Sequence, residues 1–358
     1  MERSNGQSPW GVIGASVQGP YHKNKGQPNE DAIGWYQVKP GKLPIILSVA
    51  DGVGDETCFR SGRGSRFAIE ASIESCRKYI RKIQYWHEEQ LRHFLLDDII
   101  ERWNQKISED LKNDPFSPEE ELLSTKQVRH AISHITDAGS IDQLKFIRSY
   151  PYSTTLNTVI VTQTAIIALQ VGDGDIVSVQ DDGFTTEIFP QATGCGVIPL
   201  SDPNVQNFCN ICRKRMDEAR PLILYVSSDG YSAGYDTSNG KPSFDEIIAF
   251  EFHSKIQGFP LAEIQEALPS LLEELSQGSY DDLSLGIIVG PLEKIRQTSL
   301  KLKQLSDQIQ EGEENGSNEP DVTPVPALPE VDGRKAEKKL VPSAEITGIE
   351  MCSETHQE

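Results

Sequence analysis

The chain lacks any uncharged apolar stretch of about 18 residues, so its sequence offers no membrane-spanning helix. Its opening, Met1 to Val17, has no basic segment followed by an apolar one, and the expectation is a cytoplasmic protein. Positive charge is also scarce: 34 basic residues stand against 54 acidic ones, a formal charge of -20. Such a surface repels phosphate backbones and anionic membranes, which argues against nucleic acid and against a membrane as partners. Only six cysteines are present, scattered from Cys58 to Cys352, which suits reduced thiols better than a disulfide framework. Cys209 and Cys212 have zinc-ligand spacing, but tetrahedral structural zinc usually takes four N/S ligands and no second pair follows.

The 358 residues are ample for a hydrophobic core. Six short β-branched runs read as strands: Ile45 to Val49, Leu156 to Val161, Ala165 to Val171, Asp175 to Val179, Leu222 to Ser227 and Leu283 to Val289. Tight polar turns join the second to the third and the third to the fourth, which favours antiparallel meanders. Between the first two runs lies a helical insert. Ile69, Ile73, Cys76, Ile80 and Ile83 share one helical face, and Leu95, Ile99, Trp103, Ile107 and Leu111 share another, ended by "NDPFSP". The segment from Pro118 to Tyr150 reads as partly helical. Composition divides the chain into a folded domain over 1–290, a helix-prone extension over 291–310 and an acidic, proline-rich tail over 311–358 that cannot bury enough surface to order itself.

Acidic residues gather at the ends of these strands. Asp51-Gly52 follows the first run, Asp173-Gly174-Asp175 the third, and Asp229-Gly230 the fifth; Asp281-Asp282 precedes the last, and Asn29-Glu30-Asp31 precedes "AIGWY". One Asp-Gly at a strand end is an ordinary turn, whereas five acidic clusters at the strand boundaries of one core suggest a shared site. If the strands lie side by side, that much negative charge needs cations, and an all-oxygen ligand set suits Mg²⁺ or Mn²⁺. Two such ions about 3.5 to 4 Å apart would serve phosphoryl chemistry. An EF-hand reading of "DGDIVSVQDDG" fails, because a strand occupies the positions where oxygen ligands belong. "SGRGSR" lacks the Lys-Ser/Thr end of a phosphate loop and reads as a helix start.

In order and content, "NEDA", "VADGVG", "STTLNTVIV", "VGDGDIVSV", "SSDGYS" and "YDDLSLGIIV" resemble the successive motifs of the PP2C-type metal-dependent serine/threonine protein phosphatases, over about Gly11 to Val289. The resemblance implies an α+β fold, a two-sheet antiparallel β-sandwich flanked by helix pairs. It implies hydrolysis of phosphoserine and phosphothreonine in a protein substrate, opposed to a Ser/Thr kinase, by attack of a metal-bound hydroxide at a binuclear Mg²⁺ or Mn²⁺ centre. On the family pattern Asp51 bridges two ions, the Gly52 carbonyl binds one, Asp229 and Asp281 complete the first, and Glu30 serves the second. Asp173 with Asp229 would hold a third, weaker ion, with Asp31 and Asp282 behind the ligands. Two departures stand out. Val53 occupies the position of a histidine found in many eukaryotic members, and no arginine precedes the Glu-Asp pair, where "GPYHKNKGQPNED" offers His22, Lys23 and Lys25, as in a divergent bacterial-like branch. His22 as proton donor and Lys23 as phosphate ligand are therefore the candidate catalytic residues beside Asp51, with Arg60 and Arg63 as the alternative phosphate ligands. Two rival readings remain: an inactive interaction module and a small-phosphoester hydrolase on the same scaffold.

Overall fold

A computed structural model describes residues 10–133, 143–180, 185–190, 197–219, 221–234, 260–291 and 295. The tail 311–358 and all of the extension 291–310 but Pro291 and Ile295 lie outside them.

Ten strands form two antiparallel sheets of five: β1 (Gly11–Val17), β2 (Ala32–Lys39), β3 (Lys42–Ala50), β4 (Leu156–Val161), β5 (Ala165–Val171), β6 (Asp175–Gln180), β7 (Thr185–Glu187), β8 (Asn210–Arg215), β9 (Pro221–Ser227) and β10 (Leu283–Val289). One sheet has the order β1-β10-β9-β6-β7 and the other β2-β3-β4-β5-β8. All six runs read from the sequence are strands; β1, β2, β7 and β8 are additional.

Period-2 alternation with both faces covered explains why the inner strands are mostly apolar. In β3, Ile45, Leu47 and Val49 face the other sheet, while Ile46 and Ala50 face helices. In β9, Leu224 and Val226 enter the space between the sheets, and Ile223 and Tyr225 turn to the opposite side. Each inner strand thus has two buried faces, which makes four layers: helices, sheet, sheet, helix.

The helices carry matching stripes. A short helix, α1 (Pro20–Lys25), precedes β2. α2 (Ser61–Tyr79) and α3 (Asp97–Asn113) cover the β2-β3-β4-β5-β8 sheet, and the buried Trp103 indole N–H donates to the Gly64 carbonyl at 3.0 Å. α4 (Asp229–Ala233) follows β9, and α5 (Leu261–Ser279) lays Ile264, Leu268 and Leu272 on the other sheet. The two stripes are shorter than the spacing predicts. α2 ends before Ile80, Ile83 sits in a 3₁₀ turn, and Leu95 belongs to a π-helical turn, Leu91–Leu96, ahead of α3. Pro118–Ser133 and Gln143–Ser149 are helical.

Ile295 is fully buried in the cluster beneath α5. Among the described residues no helix is long and apolar enough to cross a membrane.

Candidate metal centre and active site

The register of both sheets brings the acidic strand ends to one end of the sandwich. Ala32 pairs with Ala50, so the Glu30-Asp31 approach to β2 lies beside the Asp51-Gly52 exit from β3. Leu156 pairs with Val171, which puts Asp173 just past that pair, and Ser227 pairs with both Leu285 and Asp175, which sets Asp229 near the Asp281-Asp282 entry to β10.

Main-chain hydrogen bonds hold Asp51 in place. Its N–H donates to Thr155 Oγ1 at 3.0 Å, and its carbonyl accepts from the Thr155 N–H at 2.8 Å and Thr154 Oγ1 at 2.9 Å. Gly52 donates to the Glu30 carbonyl at 3.1 Å, and a Cβ on it would stand 2.8 Å from that oxygen and 2.9 Å from the Glu30 Cβ. Only a bare backbone fits between Asp51 and Glu30, which accounts for the glycine after the aspartate.

Glu30 and Asp31 carry the cost of burial. Glu30 Oε2 is buried without a hydrogen bond, and loss of hydration pushes the carboxyl up to about 7. Asp31 is also raised, chiefly by burial; Ser228 Oγ donates to its Oδ2 at 2.7 Å, while its Oδ1 is buried without a hydrogen bond, and Asp282, Asp281 and Asp229 add repulsion. Uncompensated carboxylates of this kind fit oxygen-ligated divalent cations. Gly230, which follows Asp229, packs on the Asp281-Asp282 segment: a Cβ on it would lie 2.2 Å from the Asp282 carbonyl oxygen and 3.3 Å from the Asp281 Cβ. Asp173 sits in the turn after β5, whose Gly174 carbonyl accepts from Gln170 Nε2 at 2.5 Å. Among the described residues no three His, Cys, Asp or Glu side chains close on a single point as a metal cluster.

The basic residues are placed differently from the sequence expectation. His22 is 5% exposed, its Nδ1 donates to Asp282 Oδ2 at 2.7 Å, and its Nε2 faces Glu30 Oε2 at 3.7 Å. Both ring nitrogens are turned to carboxylates. Lys23 is exposed on α1. Arg60 and Arg63 are engaged elsewhere. Arg60 pairs with Glu120 at 3.2 Å and donates to the Asp114 carbonyl at 2.7 Å and the Tyr152 hydroxyl at 2.9 Å; Arg63 pairs with Asp114 at 2.6 Å and Asp110 at 3.0 Å. These guanidiniums fasten α2 to the end of α3. Cys209 is buried, with its thiol pushed up to about 12 by burial, and Cys212 lies in edge strand β8.

Sequence reasoning missed the hydroxyls that orient the acids, Ser228, Thr154 and Thr155. Their signal is the serine pair before Asp229 in "SSDG" and the hydroxyl run "STT" at the entry to β4.

A family model described as "Protein phosphatase 2C" matches residues 18–272. Similar solved structures include a C. elegans sex determining protein, 13% identical, covering 81% of this chain and 67% of that one with a TM-score of 0.49. A bacterial serine phosphatase is 14% identical over 78% of this chain and 96% of its own, with a TM-score of 0.47. The catalytic domain of the serine threonine protein phosphatase PstP, in complex with 2 manganese ions, is 16% identical over 78% of this chain and 98% of its own, with a TM-score of 0.44. No curated protein matches the sequence. Since the matched span, 18–272, takes in well over half of the residues, from the loop before α1 through most of α5, the chain belongs to the protein phosphatase 2C family.

Proposed function

We propose that the chain is a metal-dependent phosphoprotein phosphatase acting on phosphoserine and phosphothreonine. The observation that carries this reading is Glu30 Oε2, buried without a hydrogen bond beside Asp51-Gly52, in a family whose members hydrolyse phosphoesters. Asp51, Asp229 and Asp281 would hold one Mg²⁺ or Mn²⁺ ion, Asp51 and Glu30 a second, with the Gly52 carbonyl on one of the two, and Asp173 with Asp229 a weaker third. Bound there, the ions would supply Lewis acidity to the phosphoryl oxygens and to an attacking water.

The chain's own groups do the positioning. Thr154 and Thr155 fix the main chain of Asp51, so its carboxylate emerges at a set angle from β3. Ser228 holds Asp31 behind Glu30, and the glycine at position 52 lets the two ligand strands approach. Lys23, exposed on α1, serves as a point charge for the entering phosphate, without the two-pronged grip of an arginine. The reading extends to a cytoplasmic location, an opposing Ser/Thr kinase and a tail that acts on protein-substrate choice alone.

Assay of the purified chain with Mn²⁺ on a phosphoserine peptide, a phosphotyrosine peptide and an aryl phosphate tests the proposal. Expected is hydrolysis of the phosphoserine peptide that chelation abolishes. Turnover of the aryl phosphate alone would mark a small-phosphoester hydrolase, and no turnover with any substrate would mark an interaction module.

A further inference from the structure

The Asp282 carboxylate is a junction. Its Oδ1 accepts from the Gly19 N–H at 2.7 Å, and its Oδ2 accepts from the Glu30 N–H at 2.7 Å and from His22 Nδ1 at 2.7 Å. A further main-chain bond, Tyr21 N–H to the Tyr280 carbonyl at 3.1 Å, fastens the first turn of α1 to the same segment. The approach is close enough that a Cβ on Gly19 would stand 2.1 Å from the Asp281 carbonyl oxygen. Tyr280 takes a left-handed conformation, φ 63°, to end α5 immediately before Asp281. His22 is the one side chain that spans the junction: one nitrogen is on Asp282, and the other faces the Glu30 oxygen that has no hydrogen bond.

From this arrangement we infer that His22 is a positioning residue, and that α1 acts through it as a clip setting the spacing between Glu30 and Asp281. The inference rests on the reading of those two residues as metal ligands. Groups that hydrogen-bond behind a ligand set its direction, and their loss typically costs about 10- to 100-fold in metal affinity. His22 donates to Asp282, the carboxylate that accepts from the Glu30 N–H and directly follows Asp281 in the chain. Its ring orients the Asp282 carboxylate that accepts from the Glu30 and Gly19 N–H groups, and its Nε2 stands 3.7 Å from Glu30 Oε2, a charge contact without a hydrogen bond.

The test is a calorimetric Mn²⁺ titration of the full chain together with amide hydrogen exchange of the metal-free protein. His22→Ala is expected to weaken Mn²⁺ binding by about 10-fold or more. His22→Asn, whose side-chain amide can donate from the position of Nδ1, is expected to recover most of that loss. A role in stability alone would lower the melting temperature of both variants and leave their Mn²⁺ affinity unchanged, which would overturn the inference, as would an Asn variant as weak as the Ala variant. In the exchange arm the Gly19 and Glu30 amides should lose protection in His22→Ala and keep it in His22→Asn. If the unmodified chain binds no Mn²⁺, the metal reading fails on its own, and unchanged protection in His22→Ala overturns the clip independently. Should His22→Ala not fold, Asp282→Asn removes one of the acceptor contacts, and wild-type Mn²⁺ affinity in that variant overturns the inference.

Discussion

Asp51→Asn is expected to reduce Mn²⁺-dependent hydrolysis of a phosphoserine peptide by about a thousandfold or more while the sandwich stays folded. The substitution keeps the size of the side chain and the main-chain bonds to Thr154 and Thr155, and removes one negative charge from the position proposed to touch two ions. The same change reduces repulsion among Glu30, Asp31, Asp229 and Asp281, so the melting temperature without metal should equal or exceed that of the unmodified chain. Activity assays and thermal denaturation under chelation check both halves. A variant that loses its fold together with its activity would make Asp51 a structural carboxylate.

The second large effect is a dependence of metal-free stability on pH. Burial raises the Glu30 carboxyl from 4.5 to about 7 and raises Asp31 in the same direction. A carboxyl that binds its proton more tightly in the folded state contributes stability below its unfolded pKa, and that contribution is lost as pH rises through the folded value. For Glu30 the window is 4.5 to about 7, and the loss is about 3 kcal/mol. His22 adds to the same trend. Its hydrogen bond to Asp282 raises it above 6.5, so its contribution also fades as pH climbs through the raised value. Urea unfolding under chelation should therefore show a falling midpoint between pH 5 and pH 8. Mn²⁺ binds the deprotonated carboxylates, so saturating Mn²⁺ should flatten or reverse the slope. A flat profile without metal, or a slope indifferent to Mn²⁺, would contradict the electrostatic account of the site.

Much of this was legible in the sequence because burial on two faces leaves a strong mark. Leu156 to Val161 and Leu283 to Val289 are mostly β-branched and aliphatic, with no charged residue and only Asn157, Thr158 and Ser284 polar, and both are buried along their whole length. The acids stood out by contrast, since Asp51 and Asp281 abut such runs directly. Edge strands leave no such mark: β8, "NICRKR", needs one apolar face only, and its cysteine spacing drew attention to metal chemistry instead. The early end of α2 has no glycine or proline to announce it; the stripe continues through Ile80 and Ile83 because both still pack against the same sheet after the helix has stopped.

The partners of His22, Arg60 and Arg63 were not legible for a different reason. The sequence shows which cations lie near the acidic motifs along the chain, and their partners are far away along it. Arg60 is captured by Glu120 and by the end of α3, and His22 by Asp282, 260 residues on. Only the folded structure brings those partners in, and each capture changes a candidate substrate contact into an internal fastening.

The most direct measurement on the central claim is anomalous diffraction from crystals of the chain grown with Mn²⁺. The account predicts manganese peaks at the end of the sandwich, ligated by Asp51, Asp229 and Asp281, with a second peak on the Glu30 side of Asp51. Peaks confined to surface carboxylates elsewhere, or none at that end at saturating Mn²⁺, would contradict it.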